Sequence, residues 1–137
     1  MHRLALPLLA SLVVLGACTS KTVPDAWKDL TPTENLAAVV DAASDAENLT
    51  VVYAKTDAES IRAGFRKLAT AKGMTHVYEC KYPDSRVADG FLKSPNSVQW
   101  TIMVPKDDEI MVMASQQSNT AEFSGLPDDA ACTWVNR

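Results

Sequence analysis

The start of this chain restricts it most. His2 and Arg3 precede an apolar run over residues 4–15, broken only by Pro7 and Ser11, and the run closes on Leu15, Gly16, Ala17 and Cys18. A run of about 12 apolar residues falls short of the roughly 20 that a helix needs to cross the hydrocarbon. A basic start, a short apolar stretch and small residues before a cut are the marks of a secretory signal. Taking residues 1–17 as that signal leaves, of 137, about 120 residues, the size of one domain. Hydrophobic residues at 47% and charged residues at 22% are enough to build a core and argue against a largely disordered chain. The net charge of -4 gives little attraction for nucleic-acid phosphates, so no nucleic-acid partner is expected.

Leu15-Gly16-Ala17-Cys18 also resembles the lipobox of bacterial lipoprotein precursors: a large aliphatic residue, two small ones and a cysteine. The resemblance covers residues 1–18 only and says nothing of the mature domain. It implies that the Cys18 sulfur receives a diacylglyceryl group, that cleavage falls between Ala17 and Cys18, and that the chain meets the membrane through its N-terminal lipid. Each buried methylene contributes on the order of 0.8 kcal/mol, so two or three acyl chains anchor a protein durably. Thr19 after the cysteine, where inner-membrane lipoproteins of this kind often carry Asp, implies the outer membrane and a periplasm-facing domain.

With Cys18 lipidated, Cys80 and Cys132 remain in an oxidising compartment and are expected to pair as a structural staple. A redox pair or a metal site competes with that reading, but no C-x-x-C is present and His76 alone lies near Cys80 in sequence.

Along the mature chain, residues 18–30 show no period and contain Pro24, which reads as a lipidated N-terminus and tether. A single α+β domain is expected over residues 31–137. Thr31, Pro32 and Glu34 form a capping pattern, and Leu36, Val39, Val40 and Ala43 fall on one helical face, predicting a first helix that ends near residue 47. A short β-branched strand follows at 49–54. A second capping pattern at 56–59 opens a helix striped by Ala58, Ile61, Phe65 and Leu68 and stopped at Gly73. Residues 75–82 read as a strand with His76, Tyr78, Cys80 and Tyr82 on one face, completing a crossover between parallel-running strands. Residues 83–97 read as a polar loop, 98–104 and 109–115 as a hairpin, and 121–123 and 132–135 as short strands. The fold class that results is two amphipathic helices packed on a small mixed sheet of four or five strands.

No catalytic constellation emerges. Beyond the leader the histidine is His76, no G-x-S-x-G occurs, and the acids gather in expected turns. No cofactor and no metal are expected. Met103, Met111 and Met113 can share one hairpin face, where packing, an adaptable binding surface and Cu(I) ligation are the alternatives. The flanking segments are acidic while residues 55–93 are net basic. Arg62, Arg66 and Lys67 lie opposite the apolar stripe of the second helix, and with Arg86 and Lys93 they form the expected contact patch for an acidic partner. The function expected is that of a lipid-anchored, periplasm-facing envelope protein that binds a protein partner as an accessory or assembly component. The alternative is a periplasmic inhibitor or immunity protein against a cell-wall hydrolase or toxin, which would use a protruding 83–97 loop.

Overall fold

A computed structural model describes residues 19–106, 109–118 and 126–136. The signal peptide, Cys18 and the strand expected at 121–123 lie outside the described residues. The strands are β1 (Thr19–Ser20), β2 (Leu36–Val40), β3 (Asn48–Tyr53), β4 (Thr75–Lys81), β5 (Val87–Lys93), β6 (Asn96–Lys106), β7 (Glu109–Gln117) and β8 (Ala131–Trp134), with one α-helix, α1 (Ala58–Ala71), between β3 and β4. They form one sheet in the order β1-β2-β3-β7-β6-β5-β4-β8, and every neighbouring pair is antiparallel.

This corrects the expected pair of helices on a four- or five-stranded mixed sheet. The segment read as the first helix is β2, followed by a short 3₁₀ turn, Asp41–Ala43. Asn35 sits at φ 63°, a left-handed conformation that cannot continue a right-handed helix. Thr31, the expected cap, donates its hydroxyl to the Trp27 carbonyl instead, at 2.8 Å. The stiff Val39 and Val40 then suit a pleated strand, with Val39 paired to Val51. The tether is corrected too: residues 19–20 are β1, and the 3₁₀ segment Asp25–Leu30 buries Trp27 completely.

Helix α1 forms as its sequence predicts, although Asp57 is the capping residue and accepts the Ser60 amide at 2.8 Å. At the far end Gly73 takes φ 83°, letting the Gly73 and Met74 amides reach the Thr70 and Ala69 carbonyls. The expected crossover is present: β3 and β4 run in the same direction with β7, β6 and β5 between them. They are not neighbours, and among the described residues no strand pair is parallel.

The main core lies between the sheet and α1. Ile61, Phe65 and Ala69 of the helix meet Leu49, Val51, Tyr53, Phe91, Val98, Trp100, Ile102 and Val112 of the sheet, and Val23, Trp27 and Leu30 join them. Phe65 packs on Trp100 at 5.4 Å between ring centroids, and Trp100 stacks on Phe91 at 4.9 Å. On the opposite face a smaller cluster gathers Tyr78, Cys80 and Ala88 beneath Leu126, Cys132 and Trp134.

Candidate functional site

Two constellations stand out, one on each face of the sheet. The first arises from a β-bulge. The β4–β5 register shifts between His76 and Tyr78, and a bulge turns the residues on its two sides to different faces. His76 therefore leaves the face of Tyr78 and Cys80, where strict alternation had put it, and stacks on Phe91 at 4.7 Å between centroids. Its Nε2 lies 2.8 Å from Oδ1 of Asp89, a β5 residue with no exposed surface.

Arg62 reaches the same carboxylate from α1. Its Nε donates to Asp89 Oδ2 at 2.7 Å, and one terminal nitrogen donates to Asp89 Oδ1 and Glu79 Oε2, both at 2.8 Å. Burial pushes the Asp89 carboxyl up, but the hydrogen bonds and charges of Arg62 and His76 outweigh it and hold the group below its ordinary value. The hydrogen bond to Asp89 in turn holds Arg62 above its own ordinary value. An ionised carboxylate with both oxygens engaged is a poor proton acceptor, so the geometry suits Asp89 to anchoring α1 rather than to acid–base work. His76, Glu79 and Asp89 offer donor atoms within 4.8 Å of one another, a ligand set that fits a divalent ion in type. The guanidinium already bonded to both carboxylates is the cation of this cluster.

The second constellation crosses the face of the sheet opposite α1, open among the described residues. Trp134, Tyr78, Gly90, Gln99, Ser115 and Asn48 are successive cross-strand partners from β8 to β3. The Tyr78 ring lies over Gly90, where a Cβ would overlap it, and its hydroxyl donates to Gln99 Oε1. Gln99 Nε2 donates onward to Ser115 Oγ at 3.1 Å. Burial, with Tyr82 and Asp89 nearby, pushes the Tyr78 phenol up to about 12. The next row pairs Cys132 with Cys80, Ala88, Thr101, Met113 and Thr50, and the two cysteine sulfurs lie at disulfide distance, 2.12 Å. Between the strapped 126–134 tail and β7 runs a groove of about 670 Å³, lined by Tyr78, Tyr82, Gln99, Thr101, Met113 and Leu126 among others.

The five basic residues expected to form one patch are not all gathered: Arg62, Arg66 and Lys67 share α1, where Arg62 and Arg66 both pair with Glu59, while Arg86 and Lys93 lie elsewhere. Arg62 is committed to Asp89 and Glu79, with its side chain 12% exposed. Arg66 pairs with Glu59 on its own helix at 3.3 Å, and Lys67 is exposed beside it. Arg86 bonds to Asp84 and lies over the Tyr82 ring. Lys93 donates to the Lys72 carbonyl beyond the end of α1. Arg86 and Lys93 flank β5 at opposite ends, roughly 23 Å of strand apart. Most of the 83–97 stretch is strand, β5 with the first two residues of β6, rather than the long loop expected there.

Asp89 and Glu79 were missed by sequence reasoning. A signal for Asp89 exists in Val87, Asp89 and Phe91 alternating with Ala88, Gly90 and Leu92, a strand pattern hidden by reading the glycine as a breaker. Met103 and Met111 are cross-strand partners, and Met113 shares their face, 50% exposed. Compared with known protein families, curated proteins and solved structures, the chain finds no match in any of the three.

Proposed function

We propose that this is a lipid-anchored, periplasm-facing envelope protein that acts by binding a protein partner, as an accessory or assembly component, through the open face of its sheet. The exposure of Met113 carries the reading. Met113 and Val104 are the exposed large hydrophobic residues among those described, and Met113 lines the groove beside hydrogen-bonding Gln99 and Thr101. An apolar, adaptable side chain bordered by polar groups is the composition of a contact surface. The leader supports anchoring at Cys18, and the oxidising compartment it implies supports a formed Cys80–Cys132 bridge in the exported protein.

The test places a photo-crosslinking amino acid at Thr101 in the groove or at Lys67 on the outer face of α1, in intact envelopes. Discrete adducts from Thr101 that disappear on Met113→Glu are expected, with no loss of thermal stability. Adducts from Lys67 alone would move the contact to the helix and refute the open-face reading. Cys18→Ala is expected to abolish both palmitate incorporation and globomycin-sensitive processing; unchanged processing would refute the anchor.

A further inference from the structure

We infer that the bilayer surface is itself a contact of this domain, with the β1–β2 corner of the sheet held directly against the lipid headgroups. The inference rests on the proposed acylation of Cys18. Its carrier is the distance from that residue to the fold. Thr19, the next residue, is already paired with Val40, and Ser20 with Val39. Successive Cα atoms lie about 3.8 Å apart, whereas a free tether over residues 19–30 would reach about 40 Å. The corner is fastened further: Ser20 Oγ donates to Asp41 Oδ1 at 2.9 Å, and Val23 is buried three residues on.

What this places at the headgroups is the beginning of β1, the end of β2 and the turn Asp41–Ala43. Lys21, Asp41, Ala42 and Ala43 are all exposed there, so the corner combines small side chains with one cation suited to lipid phosphate and one carboxylate that balances it, leaving the Cys18 anchor rather than charge to hold the corner at the surface. The strand order fixes what stands away from the bilayer. Strand β4 lies six positions from β1, roughly 29 Å at ~4.8 Å per strand. The groove spans this gradient: Asn48 on β3 lines its end nearer the corner, and Tyr78 on β4 lines its far end.

The test uses the full acylated protein in vesicles of phosphatidylethanolamine and phosphatidylglycerol, with a fluorescent amino acid at Ala42 or at Lys81, both exposed. Spin-labelled headgroups are expected to quench Ala42 several-fold more than Lys81. A flexible Gly-Ser linker inserted between Cys18 and Thr19 should bring the two positions towards equal quenching. Equal quenching without the linker, or stronger quenching at Lys81, overturns the inference while leaving the anchor intact. A mature protein whose mass shows no acyl chain overturns the anchor and the inference together.

Discussion

Asp89 is out of contact with water, yet it carries charge because Arg62 and His76 meet on its two oxygens. Removing one partner of a buried, hydrogen-bonded ion pair costs about 3–5 kcal/mol, because the other is left uncompensated. Asp89→Asn is therefore expected to lower the unfolding free energy by about 3 kcal/mol, at the low end because Glu79 still holds Arg62. Its carboxyl lies below its ordinary value in the fold, so it binds a proton less readily folded than unfolded. Its stabilising contribution is then complete above about pH 4, the unfolded value, and is lost as pH falls through the lower folded value. Urea unfolding at pH 7 and at pH 3 should show a smaller acid loss in Asp89→Asn than in the parent; an identical loss would refute the assignment. On the other face Gly90 is required because the Tyr78 ring occupies the place of a Cβ. Gly90→Ala should lower the melting temperature by displacing the ring and its bond to Gln99. In a Tyr78→Ala background the same change should cost much less, and a double-mutant cycle with no coupling would refute the packing.

Among the elements, β8 depends most on a single link. It is a four-residue edge strand paired only with β4 among the described residues, and Cys132 faces Cys80 across that pairing. Closing a chain of 52 residues stabilises by about 4 kcal/mol in the chain-entropy view. Replacing both cysteines by serine should lower stability by about 2–4 kcal/mol and speed amide exchange in β8 and β4 before the rest of the sheet. Uniform exchange across the sheet would show that β8 does not open separately. The elements also show which signals the sequence carries. Helix α1 was legible because its cap, apolar stripe and glycine stop all agree. The β6–β7 hairpin was legible because Trp100 opposite Ala114, Ile102 opposite Val112 and Met103 opposite Met111 follow from alternation alone. Strand β2 was not, since Leu36, Val39, Val40 and Ala43 fit a helical stripe and only pairing with β3 decides against it. The His76–Asp89 contact was hidden for a similar reason: it depends on one bulge, which changes the face of every residue beyond it.

At the scale of the whole molecule, the N-terminal segment couples the proposed anchor to the core. Trp27 is fully buried and donates its indole N–H to the Asp45 carbonyl at 3.0 Å. Gln116 Nε2 donates to the Ala26 and Ala46 carbonyls, tying the same segment to β7 and to the turn before β3. Truncating a buried tryptophan to alanine costs about 3–5 kcal/mol, and whole domains are stable by only about 5–15 kcal/mol. Losing Val23, Trp27 and Leu30 together should consume most of that margin. A chain beginning at Thr31 is therefore expected to lack the near-ultraviolet dichroism and cooperative unfolding of one beginning at Thr19. Trp27→Ala in the longer chain should fall between them. A truncated protein that melts cooperatively at the parent temperature would show that residues 19–30 are dispensable after all. If they are not, a protease cut inside this segment cannot release an intact soluble domain from the membrane. Shaving acylated vesicles should then yield fragments rather than a folded product, because the residues that would serve as a tether are part of the fold.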